Sequence, residues 1–168
     1  SHAEGVCRMG LKFPEDLRAW QRWQRSRHTV RRVRDLVRRP APAAPMVLHR
    51  RGADPSVLFA LDATTPTALA SVLEPLAHLG DASAAVLAPV DVSARLPGEW
   101  TTVAVADPSA PPAAIRSVRT IVSAGHFLPV GHATFEWARD LGARYVVVQH
   151  GLLTPFMAPL PVGAHLLA

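Results

Sequence analysis

From residue 46 onward, short apolar runs alternate with stretches of helical period, and the runs end at polar or turn-forming residues. Val57–Leu61 predicts a first strand ending at Asp62, and Ala84–Ala88, Trp100–Ala106, Arg119–Ser123 and Tyr145–Gln149 predict four more. Pro66–Leu79 predicts a helix with Thr64 or Thr65 as its cap and Gly80 at its end. Gly131–Leu141 predicts another, closed by Gly142, and a short helix is expected near Pro111–Arg116. The closing "PVGAHLLA" reads as a sixth short strand. These strands are continuously apolar rather than alternating, which requires a sheet covered on both faces and hence a parallel α/β sandwich. Right-handed crossovers would send all the strand C-termini to one edge.

The N-terminal part has a different pattern. After a tail at 1–13, residues 14–39, "PEDLRAWQRWQRSRHTVRRVRDLVRR", predict one basic amphipathic helix, and "PAPAAP" at 40–45 a stiff spacer before the α/β domain of 46–168. Pro14 suits a first turn, and Glu15 and Asp16 suit its positive end. Ala19, Trp23, Ser26, Val30, Val33 and Val37 recur at helical steps as an apolar stripe, with Trp20 and Leu36 beside it.

Charge divides at the same place. Residues 14–39 hold nine Arg against three acids, a net +6, whereas 46–168 hold seven Arg against nine acids, a net −2. The basicity therefore belongs to one segment, which argues against nucleic-acid binding by the body. The stripe is expected to pack on the α/β body, leaving the outward Arg to be drawn to an anionic membrane surface.

Composition narrows the classes further. With 49% hydrophobic and 18% charged residues the chain is not disordered. No apolar run approaches the ~20 residues of a bilayer span. A single cysteine, Cys7, excludes an internal disulfide and a multi-cysteine metal site. No secretory signal is recognisable, so a cytoplasmic location, peripheral at the inner membrane face, is the expectation. Neither Gly-x-Gly-x-x-Gly nor a P-loop occurs; the first strand runs instead into "LDATTPTAL".

Four places carry candidate chemistry. His150, in "YVVVQHGLLTP", ends the fifth strand beside Gly151, where open space and a near-neutral pKa suit a general base. The plain alternative is a histidine that only closes a strand. His126 with Gly125, in "SAGHFLP", occupies the matching place after the fourth strand and would neighbour His150 if those strands pair; helix entry is the competing role. Asp62 and Thr64 either cap a helix or touch substrate, and Asp107 reads as a turn residue. His28, His49, His78, His132 and His165 share no spacing and read as surface or packing residues; His126 and His132 are not a helical metal pair, so no metal is called for. No nucleophile elbow or paired acids support a hydrolase.

The segment "VVVQHGLLTP", preceded by "FEWARDLGAR", resembles the N-terminal half of GT-B glycosyltransferases, in particular the CDP-glycerol glycerophosphotransferase and capsule-polysaccharide transferase group. The resemblance covers about residues 56–168, with "QHG" as its specific motif. It implies a Rossmann-like domain on the acceptor side of an interdomain cleft, with His150 as catalytic base and Gln149, Gly151 and Thr154 lining the cleft. Gln149 before the histidine and Leu152 after the glycine depart from the family's Trp-His-Gly-Thr form. It further implies transfer of a sugar or polyol-phosphate from a nucleotide-activated donor to a hydroxyl acceptor, with no cofactor. The donor would be held by a C-terminal domain beyond Ala168, so this chain alone is expected to be inactive. The alternative reading is a non-catalytic α/β module that binds a protein partner or a membrane surface.

Overall fold

The computed structural model describes residues 17–27, 45–148 and 163–167. They fall into two compact units, one holding the N-terminal helix and the other the α/β body.

The helix, α1 (Leu17–Arg27), has no acidic residue. Arg18, Gln21, Arg22 and Ser26 are exposed, Ala19 and Trp23 half-buried, and Trp20 only 9% exposed. The covered side is thus centred nearer Trp20 than on the expected Ala19–Trp23–Ser26 line, and Ser26 turns its hydroxyl to Trp23 O at 2.7 Å. The remainder of the expected 14–39 helix lies outside the described residues.

The body is a seven-stranded mixed sheet. Its strands are β1 (Met46–Arg51), β2 (Val57–Ala60), β3 (Ala84–Ala88), β4 (Thr101–Val105), β5 (Thr120–Ser123), β6 (Arg144–Val148) and β7 (Ala164–Leu167), in the order β4-β1-β3-β2-β5-β6-β7. β1 runs antiparallel to both neighbours, β3 and β4, and every other pairing is parallel. The expected all-parallel sheet is therefore corrected by one strand. "MVLHRR" escapes a hydrophobic-run reading because it ends in His49-Arg50-Arg51. His49 is nevertheless fully buried, since Val92 N–H reaches its Nε2 at 3.3 Å and Thr102 Oγ lies 3.0 Å from its Nδ1. Burial is tolerable because both ring nitrogens are satisfied.

With β1 set aside, the six strands of common direction run β4-β3-β2-β5-β6-β7. In chain order that is 3-2-1-4-5-6, the order of a doubly wound α/β sheet. The chain reverses its winding between β2 and β5.

Helices cover the two faces. α2 (Pro66–Leu73) follows β2, its first turn capped by Thr65, whose hydroxyl accepts from Ala68 N at 3.4 Å. The expected helix to Leu79 becomes a 3-10 helix from Glu74, because Pro75 has no N–H to continue the ladder. Val72, Leu73 and Leu76 pack with Phe59, Leu61, Val86 and Ala88 on one face. α3 (Pro129–Leu141) joins β5 to β6 and buries Val130, Ala133, Thr134, Trp137 and Ala138, one face at helical spacing. It packs with Leu58, Ala60, Ile121, Tyr145 and Val147 on the other face. Pro129 starts it two residues earlier than the pattern suggested, and Gly142 closes it at φ 63°, left-handed. Trp137 Nε1 donates to Pro108 O at 2.9 Å, tying α3 to the segment after β4. That segment turns at Asp107, whose carboxylate accepts from Ser109 N at 2.9 Å.

Candidate functional site at the carboxyl edge

The winding reversal brings the ends of β2 and β5 side by side, Ala60 being paired with Ser123. Beyond β2 come Leu61 and Asp62; beyond β5 come Ala124, Gly125 and His126. The first turn of α3 closes the gap between them. Asp62 Oδ1 accepts from Gly131 N at 2.8 Å, so the carboxylate caps α3, sixty-nine residues further along the chain. A carboxylate suits that place, since the helix start carries unpaired N–H groups and a positive dipole end. Thr65 rather than Asp62 or Thr64 caps α2, and Thr64 stands exposed at the edge.

Gly131 permits this approach. A Cβ there would overlap the Gly125 carbonyl oxygen and stand 2.6 Å from Asp62 Oδ2. Gly125 O also accepts from Ser123 Oγ at 2.7 Å, while Ser123 Oγ accepts from Gly125 N at 3.2 Å. The Tyr145 hydroxyl, buried on β6, lies 2.8 Å from Gly125 O and 3.0 Å from Gly131 O. Burial, with a smaller push from Asp62, raises its pKa to about 12. Tyr145 is therefore a neutral donor that clamps the loop to the helix. Thr134 adds to the clamp, its hydroxyl 2.9 Å from Val130 O and 3.1 Å from Gly131 O.

The clamp fixes the loop that carries His126 beyond β5. Its ring is half-buried, 3.9 Å between centroids from Phe127 and 5.7 Å from Phe135, which in turn meets Tyr145 edge-on at 5.2 Å. Burial, then the charge of nearby His132, holds the His126 pKa below its usual 6.5. The imidazole is thus neutral near pH 7 and can accept a hydrogen bond or proton from a hydroxyl.

The neighbouring strand leads to the same edge. β6 pairs in parallel with β5 up to Ser123↔Val147 and ends at Val148. Gln149, His150 and Gly151 follow in sequence; they and Thr154 lie outside the described residues. Of the expected site residues, the structure joins Asp62 and Gly125 through Gly131, sets His126 beside them, and leaves Thr64 apart. The clamp residues Gly131, Ser123, Thr134 and Tyr145 were missed by sequence reasoning. A glycine set among apolar helical positions was the one available signal, since it marks a close backbone approach.

A second constellation has the composition of a catalytic triad but not its chemistry. Asp91 Oδ1 lies 3.8 Å from His49 Nε2, and Thr102 Oγ 3.0 Å from Nδ1. Because Nε2 accepts from Val92 N–H, the proton sits on Nδ1 and is donated to Thr102. An imidazole in that tautomer cannot activate the hydroxyl. An open groove of about 420 Å³ between Leu69 and Leu73 of α2 and Arg95–Pro97 lies against the helical layer and is walled mainly by apolar residues.

Among the described residues, no three His, Cys, Asp or Glu side chains group as metal ligands, and no helix is long and apolar enough to cross a membrane. Comparison with protein-family models, curated proteins and solved structures gives no match.

Proposed function

We propose that the α/β body is the acceptor-side half of a GT-B-type transferase, moving a sugar or polyol-phosphate from a nucleotide-activated donor to a hydroxyl acceptor. The observation that carries the reading is the adjacency of β5 and β6 beside the winding reversal. In the sequence "GHF" comes one residue after β5 and "QHG" immediately after β6. In this reading His150 takes the proton from the acceptor hydroxyl, whose oxygen attacks the anomeric carbon of a nucleotide sugar or the β-phosphate of an activated polyol. The nucleotide phosphate leaves with the electrons of the broken bond. Neutral His126 orients the acceptor through a hydrogen bond.

Asp62 supports the acceptor assignment. A helix start beside a winding reversal is where a phosphate is ordinarily held, and here the chain's own carboxylate caps α3. A phosphate would meet a negative charge there, whereas a neutral polyhydroxylated acceptor would not. The donor's phosphates are then left to another domain.

The test is transfer activity of the full-length protein with a panel of nucleotide-activated donors. His150→Ala is expected to lower transfer by about 100-fold or more with unchanged circular dichroism. Unaltered activity would remove His150 from the mechanism. A non-catalytic interaction module is the second reading, favoured by the exposed side chains of Val90 after β3 and of Phe127 and Leu128 after β5, all following strands that end at this edge. Absence of transfer by the wild type across the whole panel would favour it.

A further inference from the structure

We infer that the outer face of α2 is the surface through which two copies of this chain pair about a two-fold axis. None of the eight residues of α2 is charged, although the helix buries only Ala68, Val72 and Leu73. The helix on the opposite face of the sheet differs, since α3 exposes His132, Arg139 and Asp140 and pairs Arg139 with Glu136 at 2.9 Å. On α2 even Ser71 turns its hydroxyl back onto Thr67 O at 2.9 Å, so it is satisfied within the helix. Beside α2 runs the open groove of about 420 Å³, with Pro66, Leu69, Ala70 and Ala77 from the helical side and Pro97 from the segment after β3. Pro66 and Ala77 are exposed, and Leu69 and Ala70 half-buried. An uncharged helix flank bordering an apolar groove is a surface that gains by being covered.

Charge selects the occupant. The same groove is bordered by one acid, Glu74, where α2 ends, and by one base, Arg95, from the segment after β3. Both are exposed, and neither forms an ion pair with another described residue. In a two-fold pair, a residue that meets a second residue is met by it in return. Glu74 then faces the partner's Arg95, and the partner's Glu74 faces Arg95, so both rims are neutralised with no further group required. A different protein would have to bring an acid and a base at the matching separation; a second copy has them already. The axis sets the two α2 helices antiparallel, each the ridge that fills the other's groove. The small side chains of Ala70 and Ala77 suit helix axes about 8–10 Å apart. The groove lining falls short of the ~20–30 residues a side of a standard interface, so the dimer is weak, with Kd in the micromolar range. The pairing uses neither α3 nor the loops after β5 and β6, so it stands apart from the transfer reading.

The experiment is sedimentation velocity of the full chain from about 2 to about 200 μM, with circular dichroism of every variant as the check on folding. The expected result is a shift from monomer to dimer across that range. Glu74→Arg alone and Arg95→Glu alone each set like charges face to face and should weaken association at least about tenfold. Both side chains are exposed, so neither change endangers the fold. The combined variant Glu74→Arg/Arg95→Glu restores opposite charges and should restore the dimer. Ala70→Arg, on the groove wall, should abolish it. A monomer at every concentration, a dimer indifferent to the single reversals, or a combined variant that stays monomeric would each overturn the assignment.

Discussion

At the scale of single residues, His49 and His126 are the groups whose protonation state the fold controls. His49 has no solvent exposure, and burial, partly offset by Asp91, holds its pKa below 6.5. His126 is shifted the same way by burial and His132. As pH falls, the unfolded chain takes up these protons before the folded one. Stability is therefore full above the unfolded pKa of about 6.5 and is lost as pH falls through it toward the folded values. Urea midpoints at about pH 7.5 and pH 5.5 should show this fall, and His49→Gln should flatten it while lowering stability at the higher pH. A slope unchanged by the substitution would clear His49 of the effect. The sequence held no sign of this, because His49 looks like the polar end of a weak run. Only the backbone N–H of Val92 and the hydroxyl of Thr102, both remote in sequence, make its burial affordable.

At the scale of elements, α3 carries the candidate site and depends on one glycine. Gly131 lets the first turn approach both the Gly125 carbonyl and the Asp62 carboxylate. Because the closest obstacle is backbone, Gly131→Ala should force α3 away from the β5 end, costing roughly 2–4 kcal/mol. Thermal or urea unfolding measures this; a change under about 0.5 kcal/mol would show that the turn yields. The strands β2, β3, β5 and β6 were legible as apolar runs to within a residue or so, because strands covered on both faces need continuous hydrophobicity. The ends of α2 and α3 were less so. Pro75 was read through as helix, and Pro129 was passed over as a start. The partner of Asp62 was not legible at all, since its cap acts on a helix that only the sheet order brings near.

At the scale of the whole body, the sheet has a protected middle and open sides. β2, β3 and β5 are paired on both edges and lie beneath helices, whereas Thr101–Ala104 of β4 are exposed at one side. Amide hydrogen exchange should be slowest in β2, β3 and β5 and fastest in β4, with an order set by position in the sheet rather than by hydrophobicity. Equal protection in β4 and β3 would mean that β4 is covered in solution. The α/β class was legible in the sequence, while the antiparallel member was not. Nothing local tells a six-residue segment which direction it will run.

That reversed strand has a consequence for anyone trimming the protein. Met46–Arg51 comes first in the body yet is wedged between two strands made later, and β4 has no other partner in the sheet order. A shortened version beginning after Arg51 would not lose a border; it would open a seam, stranding β4 and baring the flank of β3. During synthesis the same segment has no partner until β3, more than thirty residues further on, has left the ribosome, and gains its second neighbour only with β4, about fifty residues on.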